Sequence, residues 1–159
     1  MKLEGGDPAQ NENLPETVPT IGVGMEEIAI KNVKIKVWDL SGQSQMRGTW
    51  KYYYEYVNGI IFVVDSTNRE QMGEVRDQLH QVINETADSY IPILIFANKQ
   101  DIEGALGYSE VRNELALAGE SELKRMIKIQ EASGKTNSGL LEGFDWLVKT
   151  IEERQLAKK

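Results

Sequence analysis

Asp39-Leu40-Ser41-Gly42-Gln43 places a carboxylate, a glycine and a glutamine in one turn, directly after the apolar run Val33-Lys34-Ile35-Lys36-Val37-Trp38. Each residue type suits one task in phosphoryl chemistry. A carboxylate at a strand end, Asp39, suits Mg²⁺ bound through water, because that ion gives up its hydration shell reluctantly. Gly42 lets a backbone N–H approach an anion with no Cβ in the way. Gln43 both donates to and accepts from a water, so it can orient one for attack on a phosphoryl group. The plain alternative is a polar turn that ends an ordinary strand. A second cluster shifts the balance. Asn98-Lys99-Gln100-Asp101 follows Phe96-Ala97 directly. A carboxylate at Asp101 can accept paired hydrogen bonds from the N1–H and exocyclic amine of guanine. Adenine lacks those donors, so such a site discriminates strongly against it. Asn98 can tie neighbouring loops together, and the Lys99 stem can lie across a ring face. Here the alternative is a capped strand-to-helix turn.

The third cluster is Ala132-Ser133-Gly134-Lys135-Thr136. Gly-Lys-Thr between a strand and a helix looks like the end of a phosphate-binding P-loop, but the full pattern needs a glycine five residues before Gly134. That residue is Ile129. The loop is better read as Ser133-Gly134-Lys135 backbone amides that approach a base from the side opposite Asp101.

These clusters need elements to hold them. Residues 1–18 are polar and turn-rich and read as a flexible lead-in, with Pro19-Thr20-Ile21-Gly22 after them. Met25–Ile30 and Val33–Trp38 alternate apolar and polar residues around Lys31-Asn32, which predicts a hairpin with one wet face per strand. Gln45–Tyr56 reads as a short, loosely amphipathic helix. Gly59–Val64 and Ile91–Phe96 are continuously apolar, as strands covered on both faces are. Thr67-x-x-Glu70 matches a capping box before a helix marked by Met72, Val75, Leu79, Val82 and Ile83. A short helix near 109–117, a strand at Met126–Ile129, and a last helix over 139–155 complete the order. That helix carries Leu140, Leu141, Phe144, Leu147, Val148 and Ile151 on one stripe. Alternating strands and helices of this kind predict an α/β fold with a doubly wound, mostly parallel sheet and helices on both faces. In such sheets ligands lie beyond the carboxyl ends of the strands, where all three polar clusters fall.

The totals exclude several classes. Lys plus Arg is 18 against 25 Asp plus Glu, a net charge of −7, which argues against general affinity for nucleic acid or anionic membrane. With no cysteine there is no disulfide, thiol nucleophile or thiolate metal site. The one histidine, His80, lies in a polar helical stretch and is expected at the solvated surface. No apolar run approaches a membrane span, and no signal-peptide or myristoylation pattern opens the chain, so a cytoplasmic location is expected.

The residues together resemble an Arf-like small GTPase from about Leu14 to Glu153. The resemblance rests on Pro19-Thr20-Ile21-Gly22, Trp38-Asp39-x-Ser41-Gly42-Gln43, Phe62-Val63-Val64-Asp65-Ser66, Phe96-Ala97-Asn98-Lys99-Gln100-Asp101 and Gly143-Phe144-Asp145-Trp146-Leu147. Ser41 departs from the glycine usual there. The Ser41-Gly42-Gln43 turn, Ala9-Gln10-Asn11 and Ile91-Pro92-Ile93-Leu94 look most like the ciliary subgroup that recruits the Bardet–Biedl coat complex. The resemblance implies a GTP/GDP-binding switch with Mg²⁺ and slow hydrolysis, occupying a single G-domain over residues 19–157. In that scheme Thr20 and Asp39 serve the metal, Gly42 senses the γ-phosphate and Gln43 places the water. Asn98, Lys99 and Asp101 read guanine with help from Ser133, Gly134 and Lys135. Val23, Trp38 and Tyr53 fall on the family's effector patch; simple packing is the alternative for Trp38 and Tyr53. Implied partners are an effector or coat protein, an exchange factor and a GTPase-activating protein. Implied locations extend to peripheral membrane or the ciliary base.

One family feature is not found in the 159 residues: the opening strand followed by Gly-x-x-x-x-Gly-Lys-Thr. Without it the amides and lysine that hold β- and γ-phosphates are missing, and so is the central first strand. Its neighbours would then stand roughly 10 Å apart with ladder groups unpaired. Three outcomes are open: a partner chain fills the gap, as in a non-native dimer; the strands close up; or the native protein carries more N-terminal sequence, including the family's amphipathic membrane anchor. The last is the expectation. Two functions therefore stay open, a GTP-dependent switch and a nucleotide-independent interaction module. A dehydrogenase is a distant third, because no Gly-x-Gly-x-x-Gly follows a strand.

Overall fold

A computed structural model describes residues 23–117 and 126–159. The described chain divides into two compact units, one ending at Tyr56 and the other running from Val57 to Lys159. The expected lead-in over residues 1–18 lies outside the described residues.

The first unit is built on the hairpin. β1 (Val23–Ile30) and β2 (Val33–Leu40) pair antiparallel from Val23 opposite Leu40 to Ile30 opposite Val33. Lys31 (φ 44°) and Asn32 (φ 68°) both take the left-handed conformation, the two-residue turn whose twist matches that of the flanking strands. The pleat puts Ile28, Ile30, Val33, Ile35 and Val37 on one face. Met25 and Trp38 pair directly on the other face, next to Val23. That second face is the wet one, yet it carries exposed apolar groups: Met25 is 61% and Trp38 42% exposed.

Beyond β2 the expected helix over residues 45–56 does not form. Two 3-10 segments, Arg47–Tyr52 and Tyr54–Tyr56, take its place. The stretch lacks the apolar stripe that would seat a full α-helix, and none of its residues is fully buried, so local i→i+3 bonds are all the backbone gains.

The second unit is a parallel βαβαβ arrangement. β3 (Ile60–Asp65), β4 (Ile93–Asn98) and β5 (Ile127–Glu131) pair in the order β3-β4-β5, joined by α1 (Met72–Glu85) and α2 (Tyr108–Glu114). β4 is central and buried on both faces from Ile93 to Ala97, as its unbroken apolar sequence requires. α3 (Leu140–Ala157) packs against the Phe96 side of the sheet, with Phe144 and Phe96 rings 5.6 Å apart. Gly143 makes that approach feasible: a Cβ there would lie 2.5 Å from the Phe96 ring.

Several expectations need correction. β3 is not covered on both faces: Val63 is 61% exposed, while its neighbour Val64 on the opposite face is buried. The Thr67–Glu70 capping box is not formed, because the Thr67 hydroxyl and N–H both donate to Asp65 instead. A 3-10 turn at Arg69–Gln71 leads into α1. Leu141 leaves the α3 stripe and is 54% exposed, while Leu140, Phe144 and Leu147 are buried. The fifth strand starts one residue later than expected, since Met126 has φ 53°. His80 is half-buried, and its Nε2 lies 2.8 Å from the Leu115 carbonyl. A carbonyl only accepts, so Nε2 carries the proton, and the residue links α1 to the end of α2 rather than facing solvent freely.

Candidate functional site

The carboxyl ends of β3, β4 and β5 converge on one rim, the place where doubly wound sheets hold ligands. At β4 the chain leaves through Asn98, then Lys99 at φ 66°, a left-handed conformation uncommon for a residue with a Cβ. That turn is braced from several directions. Gln100 N–H donates to the Ala132 carbonyl (3.1 Å), and its side-chain amide donates to the carbonyls of Leu106 (2.8 Å) and Ala97 (3.3 Å). Asn98 carbonyl accepts from Ser66 N–H at 3.2 Å. Gln100, to which the sequence assigned no role, is thus the residue that holds the turn in shape.

At β5 the chain leaves through Ala132 and Ser133. The loop closes on itself where Ser133 N–H donates to the Ser138 carbonyl (2.9 Å) and Thr136 N–H donates to Ser133 Oγ (3.2 Å). Gly139 then takes φ 73°, and a Cβ there would collide with the Glu131 carbonyl. This is the loop's obligatory glycine. Gly134 is not: a Cβ at that position would meet only ordinary contacts with Asn98.

The two loops meet through side chains. Gly134 N–H donates to Asn98 Oδ1 at 2.9 Å, which is the loop tie expected of Asn98. Ser133, buried, donates from Oγ to Asp101 Oδ1 at 2.7 Å. Ser133 therefore sits against Asp101 rather than across from it, and the Gly134 amide is engaged by Asn98. What the loop supplies to Asp101 is a hydroxyl donor that fixes one carboxylate oxygen. Lys135 is exposed.

Lys99 Nζ forms an ion pair with Asp65 Oδ2 at 2.7 Å. Asp65 ends β3 in register with Asn98, and its Oδ1 accepts from both the N–H (3.0 Å) and the hydroxyl (2.6 Å) of Thr67. Burial pushes the Asp65 carboxyl up, but the hydrogen bonds from Lys99 and Thr67 outweigh it and hold the pKa below its ordinary value. Asp65 stood in a quoted sequence motif without a function. The signal for it was a carboxylate closing an apolar strand beside a lysine closing the next.

In the hairpin unit, Asp39 lies within the last two residues of β2 rather than after it, and is exposed. Gly42 and Gln43 follow and are exposed. Their turn is shaped by buried Ser41: its Oγ accepts from Gln43 N–H at 3.3 Å and its carbonyl from Trp50 Nε1 at 2.9 Å. Arg47 Nε donates to the Gly42 carbonyl at 2.8 Å. Trp38 and Tyr53 stack at 5.6 Å with a 49° tilt. Val23 opens β1 and is exposed. Thr20 lies outside the described residues.

For a guanine nucleotide the residues fit at the base end. Asp101 and Asn98 present acceptor and tie at the strand rim, and both are held by the adjoining loop. For a metal, no group of three or more His, Asp or Glu is assembled among the described residues. No helix among the described residues is long and apolar enough to cross a membrane.

Comparison with known proteins agrees with the fold. The Arf family model (ADP-ribosylation factor family) matches residues 8–151. ADP-ribosylation factor-like protein 1 of Saccharomyces cerevisiae is 44% identical over 141 residues, covering 88% of this chain and 75% of that protein. ADP-ribosylation factor K of Dictyostelium discoideum is 41% identical over 138 residues, covering 87% and 72%. Among solved structures, the Arl6 BBS3 small GTPase of Trypanosoma brucei with bound nucleotide analogue GppNp superposes with a TM-score of 0.79 at 27% identity. That match covers 91% of this chain and 88% of the other. The chain belongs to the Arf family and is an Arf-like small GTPase of the Ras superfamily.

Proposed function

We propose that this chain acts as a GTP-dependent switch that recruits an effector or coat protein in vesicular or ciliary trafficking and hydrolyses GTP slowly. The observation that carries it is the rim at β4 and β5, where Asp101, held by Ser133, and Asn98, held by Gly134, are preorganised for a guanine edge. Preorganisation supports binding because the loops need no reordering when the base arrives. Thr20 and Asp39 would hold Mg²⁺, whose charge offsets the charge developing on a transferred phosphoryl group. Gln43, on a turn stiffened by Ser41, would orient the attacking water. Exchange and GTPase-activating proteins would complete the cycle. Cytoplasm, with recruitment to peripheral membrane or the ciliary base, is the matching location.

The hairpin favours a second reading. Val23, Met25 and Trp38 expose apolar surface on one face, and Tyr53 stacks on Trp38. Such a surface suits a protein partner. A nucleotide-independent interaction module would use it without a GTP cycle; separately, a second copy of the chain filling the place of the missing strand beside β3 would form a nucleotide-independent dimer.

Titration with a fluorescent GTP analogue in Mg²⁺, with ATP as competitor and light scattering for mass, separates the two. The switch requires binding that ATP does not displace. Absence of GTP binding, or a dimer whose formation ignores nucleotide, favours the interaction module.

A further inference from the structure

We infer that Asp65 is a positioning residue for the base site: through its ion pair with Lys99 it holds the lysine stem along the rim, where it can cover the face of a bound guanine. This deepens the guanine-binding function proposed above and rests on it. Register is the first support. Asp65 and Asn98 are paired at the ends of β3 and β4, so the next residue, Lys99, turns out beside Asp65 with no intervening chain. The second support is that Asp65 is itself fixed. Thr67 donates to Oδ1 from both N–H and hydroxyl, which leaves Oδ2 directed to Lys99 Nζ at 2.7 Å. Third, Lys99 holds a left-handed backbone, φ 66°, that the Gln100 braces enforce. Strained backbone at a ligand rim is a recurring way of storing preorganisation.

A plain surface staple accounts less well for these features. Both side chains are more than a third exposed (47% and 37%), and exposed pairs contribute little to stability. A long, flexible lysine stem left alone samples many rotamers, each of which a bound ring must exclude. Tethering Nζ at one end and straining the backbone at the other leaves the methylenes in one place. Apolar stems laid flat in this way cover ring faces well.

The test uses the full chain and guanosine, which offers the base without phosphates, with binding followed by the chemical shifts of Lys99 and Asp101. Asp65→Asn keeps an oxygen for Thr67 but loses the charge that holds Lys99. It should weaken guanosine binding about fivefold. Lys99→Met should weaken it at least as much, and the double variant no more than Lys99→Met alone, because Asp65 acts only through the lysine. Asp65→Glu should recover part of the loss. Wild-type affinity in Asp65→Asn, or losses that add in the double variant, would overturn the inference while leaving the guanine site standing. If the unsubstituted chain binds neither guanosine nor GDP, the guanine site itself is wrong and this inference falls with it. A readout without ligand is the carboxyl ¹³C titration of Asp65, whose midpoint should rise in Lys99→Met. An unchanged midpoint would show that the pair does not form in solution and would also overturn it.

Discussion

Ser133 Oγ donates to Asp101 Oδ1 across 2.7 Å and so joins the loop after β5 to the loop after β4 at the carboxylate proposed to read a guanine edge. The hydroxyl is buried while the carboxylate is exposed. One partner is therefore fixed by packing, and it orients the other toward the rim.

Asp101→Asn tests this relationship directly. The amide presents a donor where guanine also donates, so affinity for guanosine or GDP should fall about 100-fold or more, with thermal stability close to wild type. Ser133→Ala should act more weakly, through orientation alone, at roughly 1 kcal/mol. Competition of guanosine against adenosine in each variant measures both. Unchanged guanine preference in Asp101→Asn would remove this residue from the site.

Gly139→Ala should be the costliest glycine substitution at the rim. At φ 73° with the Glu131 carbonyl in the path of a Cβ, alanine must either strain the backbone or shift the start of α3. The expected loss is about 2–4 kcal/mol in urea unfolding. Gly134→Ala, by comparison, meets only ordinary contacts and should stay within roughly 1 kcal/mol of wild type.

Asp65 predicts a small, signed pH dependence. Its pKa is lower in the folded chain than in the unfolded one, so its contribution is fully present above the unfolded value, about 3.9, and is lost as pH falls through the folded value. Solvent screening of this half-exposed pair limits the effect to about 1 kcal/mol or less. Urea midpoints measured from pH 6 down to acid should fall less steeply for Asp65→Asn than for wild type. Parallel curves would mean that the carboxylate is not perturbed.

Gln43→Leu and Trp38→Ala divide switching from docking. In a switch, Gln43→Leu removes the water-orienting amide and should hold partner binding on; in a nucleotide-independent module it should change nothing. Trp38 is already 42% exposed, so Trp38→Ala should lower stability by only about 1–2 kcal/mol. It should nevertheless abolish partner capture if the hairpin face is the docking surface. Pull-down with each variant, in GDP and in a non-hydrolysable GTP analogue, gives the comparison.

Periodicity and turn chemistry were legible in the order of residues. Alternation puts Ile28 and Ile35 on the same side, and the two-residue Lys31-Asn32 turn fixes the register that pairs them. The unbroken apolar run of β4 specifies a buried central strand. The types and order of Asn98, Lys99 and Asp101 mark the rim as a candidate base site. Which of those groups touch is settled by folding, because hydrogen bonds between Ser133 and Asp101, Gly134 and Asn98, or Lys99 and Asp65 join residues more than 30 positions apart. No local pattern encodes such pairings; they follow from strand register and loop closure. The same holds for errors of expectation. Thr67 was available as a helix cap, but Asp65, brought to the strand end two residues earlier, offered its hydroxyl a charged acceptor, the stronger hydrogen bond. Val63 read as a core residue from its neighbours, but its side chain falls on the face of β3 opposite buried Val64 and is exposed there.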